Sequence, residues 1–122
     1  MQIIYKTKVV KLGSLVESFK SEKMMILFNE NAPEELVDYC VLHDGNQLQG
    51  LVKIGDIFQI NQRKYKIVFV GNQVQKNLQD LGHITLRFNN NQEGESLEGS
   101  LYLEDLPIGA ITLGDELTII RV

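Results

Sequence analysis

Short runs of alternating apolar and polar residues, each closed by a turn signal, recur along this chain and leave room for little besides strands. Ile3, Tyr5, Thr7 and Val9 share one face while Lys6 and Lys8 take the other, before Lys11-Leu12-Gly13 closes the run. This is the period of a half-buried strand. Ile84, Leu86 and Phe88 alternate with His83, Thr85 and Arg87 in the same way. Met24 to Phe28 is continuously apolar over strand length, the pattern of a strand buried on both sides or at a crowded seam. Tyr65, Ile67 and Phe69 oppose Val68 and Val70, so both faces of that run are apolar and it is predicted to lie centrally. Further strands are predicted over Gln47 to Val52, pairing back on the run that ends at His43, and over Ile57 to Ile60, Leu97 to Leu103 and Glu116 to Val122. The last would be an edge in need of a partner.

Helical spacing is confined to short segments. Leu15, Val16 and Phe19 follow Ser14 as a candidate N-cap. Asn31-Ala32-Pro33-Glu34 has the form of a second helix start, with Asn31 as cap and Glu34 and Glu35 where the dipole favours them. Val74, Leu78 and Leu81 mark an amphipathic helix that Gly82 would end in the left-handed conformation. Asn89 to Glu95 has no apolar residue and reads as a flexible loop. Lys53 to Ile60 and Thr112 to Ile119 share the pattern x-[IL]-G-D-x-[FL]-x-I. Either two related halves close one barrel, or Gly-Asp turn chemistry simply occurs twice. The expected fold is all-β, a closed or partly closed small β-barrel with two or three short helices.

A chain of 122 residues suits one domain, residues 1–122, with one core. Its apolar share of 43% beside a charged share of 23% is that of a globule rather than a disordered chain. No segment approaches the roughly 18 apolar residues of a spanning helix, and Met1 to Lys6 has no signal-peptide form. The expectation is a cytoplasmic protein without direct membrane insertion. Cys40 is the only cysteine, so no internal disulfide forms, and with two histidines it makes a poor zinc set; no metal is expected. A net charge of −4 argues against a nucleic-acid binder and leaves basic protein partners open. Nothing in the pattern sets an oligomeric state.

The segment Leu36 to Gly45 delivers His43 to the lip of a turn made by Asp44-Gly45. There an imidazole of pKa roughly 6.5 can present an unprotonated nitrogen to an electrophile. A turn position predicts that the ring reaches solvent and that its truncation changes stability by only about 0.5 kcal/mol. The same placement also fits a solvated surface histidine with no chemistry. Cys40, three residues earlier, points to the opposite face and reads as core.

Ala32-Pro33-x-Glu35-Leu36-x-x-Tyr39-Cys40-x-x-His43, followed by Asn77-Leu78-x-x-Leu81-Gly82-His83-x-Thr85-Leu86-x-Phe88, closely resembles the glucitol/sorbitol-specific IIA component of the bacterial phosphoenolpyruvate-dependent sugar phosphotransferase system. The resemblance covers essentially the whole chain, from the Ile4 to Thr7 strand onward. It implies a phosphotransferase that needs no cofactor. His43 would accept a phosphoryl group from the histidine phosphocarrier protein and pass it to a cysteine of the IIB domain. The partners would be the IIB/IIC permease components for uptake of glucitol/sorbitol or a related polyol. Asn89 to Glu95 falls where the family varies and leaves the sugar open.

His83 matches a second recurrent histidine, expected either to donate to the phosphoryl oxygens or only to satisfy a groove. Arg87 is a weaker candidate for the same task. Transfer between nitrogen and sulfur centres passes a loose transition state, so positioning and donors to the equatorial oxygens matter most. The second ring nitrogen of His43 must keep its proton on an acceptor, for which Asp44, a nearby carbonyl or Thr85 would serve. Val41, Leu42 and Leu48 are expected to form an exposed apolar docking rim with acidic residues outside it. The alternative is a non-catalytic small-barrel binding or regulatory module that has lost phosphotransfer.

Overall fold

Eight strands close on themselves in a computed structural model that describes residues 1–45 and 47–122. In chain order they are β1 (Gln2–Leu12), β2 (Met24–Asn29), β3 (Cys40–His43), β4 (Ile57–Ile60), β5 (Arg63–Val70), β6 (Ile84–Arg87), β7 (Ser100–Leu103) and β8 (Glu116–Arg121), with one α-helix, α1 (Val74–Leu81), between β5 and β6. Around the barrel the order is β1-β3-β2-β6-β7-β5-β4-β8. β8, expected as an edge, is paired on both sides, through Lys6↔Thr118 and Phe58↔Ile119. Closure leaves no exposed ladder of unpaired backbone groups.

Two strand pairs, β2 with β3 and β6 with β7, are parallel; the others are antiparallel. The interior packs Ile4, Val41, Phe58, Ile67, Leu86 and Leu101 into one cluster with their neighbours, each such side chain contributing about 1.5–3 kcal/mol by burial. Outside β2 and β3, Phe28, Cys40 and Leu42 form a second cluster with Ile26, Ala32 and Val37 packed on it. These two strands are therefore buried on both faces, which accounts for the unbroken apolar run Met24 to Phe28.

Several expectations are corrected. Gln47 to Val52 forms no strand; of its residues only Leu48 bridges, to Tyr5. β3 already has β1 on one edge and β2 on the other, so chain leaving Gly45 finds no free edge and no hairpin forms. Ser14 caps nothing: a 3-10 helix over Glu17–Glu22 starts after Val16, with no side-chain cap, and ends on Lys23 at φ 57. Asn31 is not a cap either. A 3-10 helix over Glu34–Tyr39 begins after Pro33, and the local side-chain turn belongs to Asn29, whose Oδ1 accepts the Asn31 N–H at 2.8 Å. In β1 the register shifts between Ile3 and Tyr5, a bulge, so Ile4 is buried beside Tyr5 and Ile3 is exposed. Asn89 to Glu95 is a loop of turned chain, as expected, with the Asn90 N–H on the Leu103 carbonyl at 2.7 Å.

The two Gly-Asp segments are related by more than turn chemistry. β4 and β8 pair antiparallel, from Ile57↔Ile120 to Ile60↔Leu117. Gly55 donates to Ile67 and Ile67 to Asp56, both at 2.8 Å; Gly114 donates to Val9 at 2.8 Å and Val9 to Asp115 at 2.9 Å. Gly13 donates to Cys40 at 3.0 Å as Gly71 does to Ser100 at 2.9 Å. Thus β8-β1-β2-β3 and β4-β5-β6-β7 are two copies of one layout facing each other across the barrel, with Cys40 matching Ser100 and hence His43 matching Leu103.

Candidate active site

His43 is the last residue of β3 and is completely buried, which overturns the expectation of a solvent-reaching ring. Its backbone lies between Val9 of β1 and Asn29 of β2. The β1 register jumps between Val9 and Lys11, a bulge beside the histidine of the kind that re-aims side chains. The matching Leu103 in the other half is also fully buried. An imidazole therefore fills a slot that the repeat fills with leucine.

A buried ring must find partners for its nitrogens, and both are engaged. Nε2 lies 2.7 Å from the Gly82 carbonyl. A carbonyl has no hydrogen to give, so Nε2 carries the proton and Nδ1 of the neutral ring holds the lone pair. Nδ1 lies 2.8 Å from Thr7 Oγ1, which approaches from β1. Thr7 Oγ1 also accepts the Gly45 N–H and lies 3.2 Å from Asp44 Oδ1. Its one hydrogen serves either Nδ1 or the carboxylate. Asp44 Oδ1 takes the Lys8 N–H at 3.0 Å, and Tyr5 stands edge-on to the imidazole at 6.0 Å while donating to the Gly45 carbonyl at 3.0 Å.

Gly82 reaches this position because α1 ends on it at φ 59, a left-handed conformation that costs a side chain most. A Cβ there would stand 2.7 Å from His43 Cε1, so helix termination and ring contact require the same glycine. Burial lowers the His43 pKa; the bond to Gly82 and the charges of Asp44 and Glu30 oppose but do not cancel that effect. The ring is neutral at pH 7. A cleft of about 160 Å³ lined by Asn29, Glu30, Asn31, His43, Asp44 and Gly45 opens at this end of the barrel. A larger concavity of about 460 Å³, lined by Gln47 to Leu51, Gln75 and Gln79, contains no nucleophile.

The other sequence candidates lie elsewhere. His83 donates from Nδ1 to the Leu27 carbonyl at 3.0 Å and stacks on Phe28 at 4.5 Å, with the outer cluster and not in the cleft. It follows directly on Gly82, whose carbonyl holds the His43 ring. Arg87 Nε donates to Ser100 Oγ at 2.8 Å, and Thr85 pairs with Ile26 and Ser100; neither lines the cleft. Of the three acceptors the sequence offered for the second ring nitrogen, Asp44, a carbonyl or Thr85, it is a carbonyl, that of Gly82, which takes the His43 proton. Cys40 is core, and burial pushes its thiol up to about 11, so it offers no thiolate. Val41 and Leu42 are buried and form no docking rim; the exposed apolar residues nearest in sequence are Leu36 and Tyr39. Among the described residues no group of His, Cys, Asp and Glu is placed to hold a metal, and no helix is long and apolar enough to cross a membrane.

Thr7, Gly45 and the Gly82 carbonyl are site groups that sequence reading missed as such. A threonine in the otherwise apolar inward row of β1 was the available signal.

Residues 4–118 match the family described as PTS system glucitol/sorbitol-specific IIA component. The chain is similar to the PTS system glucitol/sorbitol-specific EIIA components of Shigella flexneri and of Escherichia coli, 37% identical to each over 95 residues, covering 78% of this chain and 77% of theirs. Its fold is similar to the crystal structure of a PTS system IIA component from Enterococcus faecalis, with a TM-score of 0.83 and 28% identity over 95% of this chain and 99% of that one.

Proposed function

The chain belongs to the family of glucitol/sorbitol-specific IIA components of the phosphotransferase system, and from that premise we propose that His43 is its phosphoryl carrier. In this reading the ring takes the phosphoryl group from a phosphohistidine of the histidine phosphocarrier protein and gives it to a cysteine of a IIB domain. The transfer serves uptake of glucitol/sorbitol or a related polyol through a IIB/IIC permease. The whole of residues 1–122 acts as one domain, in the cytoplasm, without a cofactor.

The observation that carries the proposal is the imidazole in a leucine slot. Burying a polar ring there, with a hydroxyl and a carbonyl to satisfy it, gains nothing for packing over the leucine of the other half. It does yield a neutral, oriented nitrogen lone pair beside a cleft, which is what attack on phosphorus requires. His83 supports the site indirectly, by anchoring the chain that follows Gly82. Incubation with phosphoenolpyruvate and the two general proteins of the phosphotransferase system tests the reading. The protein should gain one phosphate and lose it when a IIB domain is added; a chain that gains none contradicts it.

A further inference from the structure

The hydrogen bonds of the resting ring bear on which imidazole nitrogen reacts, an inference that rests on the phosphocarrier reading above. Attack on phosphorus runs along a nitrogen lone pair in the ring plane. At Nε2 that line is filled at 2.7 Å by the Gly82 carbonyl, a backbone group fixed by the end of α1. An unprotonated Nε2 would also face the carbonyl lone pair to lone pair. At Nδ1 the line is filled at 2.8 Å by Thr7 Oγ1, a side-chain hydroxyl that moves by rotation about a single bond. One nitrogen is closed by backbone and proton; the other is covered by a group able to leave.

We propose that Nδ1 of His43 accepts the phosphoryl group and that Thr7 holds that lone pair at rest, then turns aside to bind the phosphoryl oxygens. The Nδ1 lone pair forms the new N–P bond as the P–N bond of the donor's phosphohistidine breaks, the electron pair returning to the donor nitrogen. No proton leaves His43: Nε2 keeps its hydrogen on Gly82 and the ring becomes a cation. The rotation frees the Gly45 N–H, which Thr7 Oγ1 accepts at rest, so one backbone donor and one hydroxyl face the incoming charge. In onward transfer a cysteine thiolate forms the P–S bond and the N–P pair returns to Nδ1. The cationic ring, held by the Gly82 carbonyl, is the better leaving group for that step. The carboxylates of Asp44 and Glu30, which line the cleft, repel the bound phosphate and favour its departure.

The test uses the full chain with 15N-labelled histidine, phosphorylated either by phosphoenolpyruvate with the two general proteins or by phosphoramidate alone. Long-range 15N–1H spectra should show the phosphate on Nδ1 with Nε2 still proton-bearing. Phosphate on Nε2 overturns the inference and leaves the carrier reading intact. Labelling by phosphoramidate but not by the protein donors overturns the carrier reading while still deciding the nitrogen. A ring that neither donor labels overturns both. Thr7→Val should slow phosphoryl gain at least about tenfold, the loss expected for one removed donor to developing charge, and should shift the resting Nδ1 resonance. Thr7→Ser should restore both, and Thr7→Ala replaces the valine variant should that fail to fold. A Thr7→Val protein with wild-type rate and Nδ1 resonance overturns the part given to Thr7.

Discussion

His43 combines full burial with an unprotonated ring nitrogen, and each has a measurable consequence. Because the ring is buried with both nitrogens bonded, its truncation is not the mild change expected of a turn residue. His43→Ala should cost about 2–3 kcal/mol, since it opens a cavity and takes from the Gly82 carbonyl the imidazole N–H it accepts. Denaturant unfolding measures this, and a loss within about 0.5 kcal/mol would restore the exposed-turn picture. Burial also lowers the ring's pKa. The unfolded chain then binds the proton more readily, so the ring's stabilising contribution is complete above about pH 6.5 and is lost as pH falls from there through the folded value. Wild type should therefore lose more stability than His43→Gln between pH 7.5 and 5.5. An NMR titration of the His43 ring with its midpoint at or above 6.5 would contradict the cause.

At the scale of elements, the site depends on where α1 stops. Gly82→Ala should destabilise by about 1–2 kcal/mol through its left-handed backbone and should also impair phosphoryl acceptance, because its Cβ would strike His43 Cε1. Gly114→Ala carries backbone strain of the same kind at φ 87 but meets nothing within 4 Å, so it should lose stability and keep acceptance. Equal acceptance in the two variants would separate the helix end from the site. Strands and α1 were legible because their periods are local: Ile84-x-Leu86-x-Phe88 and Val74-x-x-x-Leu78 write burial into spacing. The hairpin after His43 was misread because Asp44-Gly45 is good turn chemistry whatever the next segment pairs with. Only the non-local neighbours β1 and β2 decide that β3 has no edge to offer. Thr7 and the Gly82 carbonyl were invisible for the same reason, lying 36 and 39 residues from the histidine they hold. The two-halves relation was legible as a pattern, but its consequence, that His43 stands where Leu103 stands, required the pairing.

For the whole molecule, the net charge of −4 and the carboxylates of Glu30 and Asp44 at the cleft set how a donor protein approaches. Long-range attraction to a basic partner raises the encounter rate and is screened beyond about 8–10 Å in physiological salt. The rate of phosphoryl gain should therefore fall as ionic strength rises, whereas a rate indifferent to salt would remove these charges from the encounter. Whether the barrel holds one phosphorylatable imidazole is decided by locating the phosphate. Wild type, His43→Gln and His83→Gln are each treated with phosphoenolpyruvate and the two general phosphotransferase proteins, then mapped by mass spectrometry under alkaline conditions that preserve nitrogen-bound phosphate. One phosphate is expected on His43 in wild type and in His83→Gln, and none in His43→Gln. Phosphate on Cys40 or His83, or wild-type labelling of His43→Gln, would contradict it.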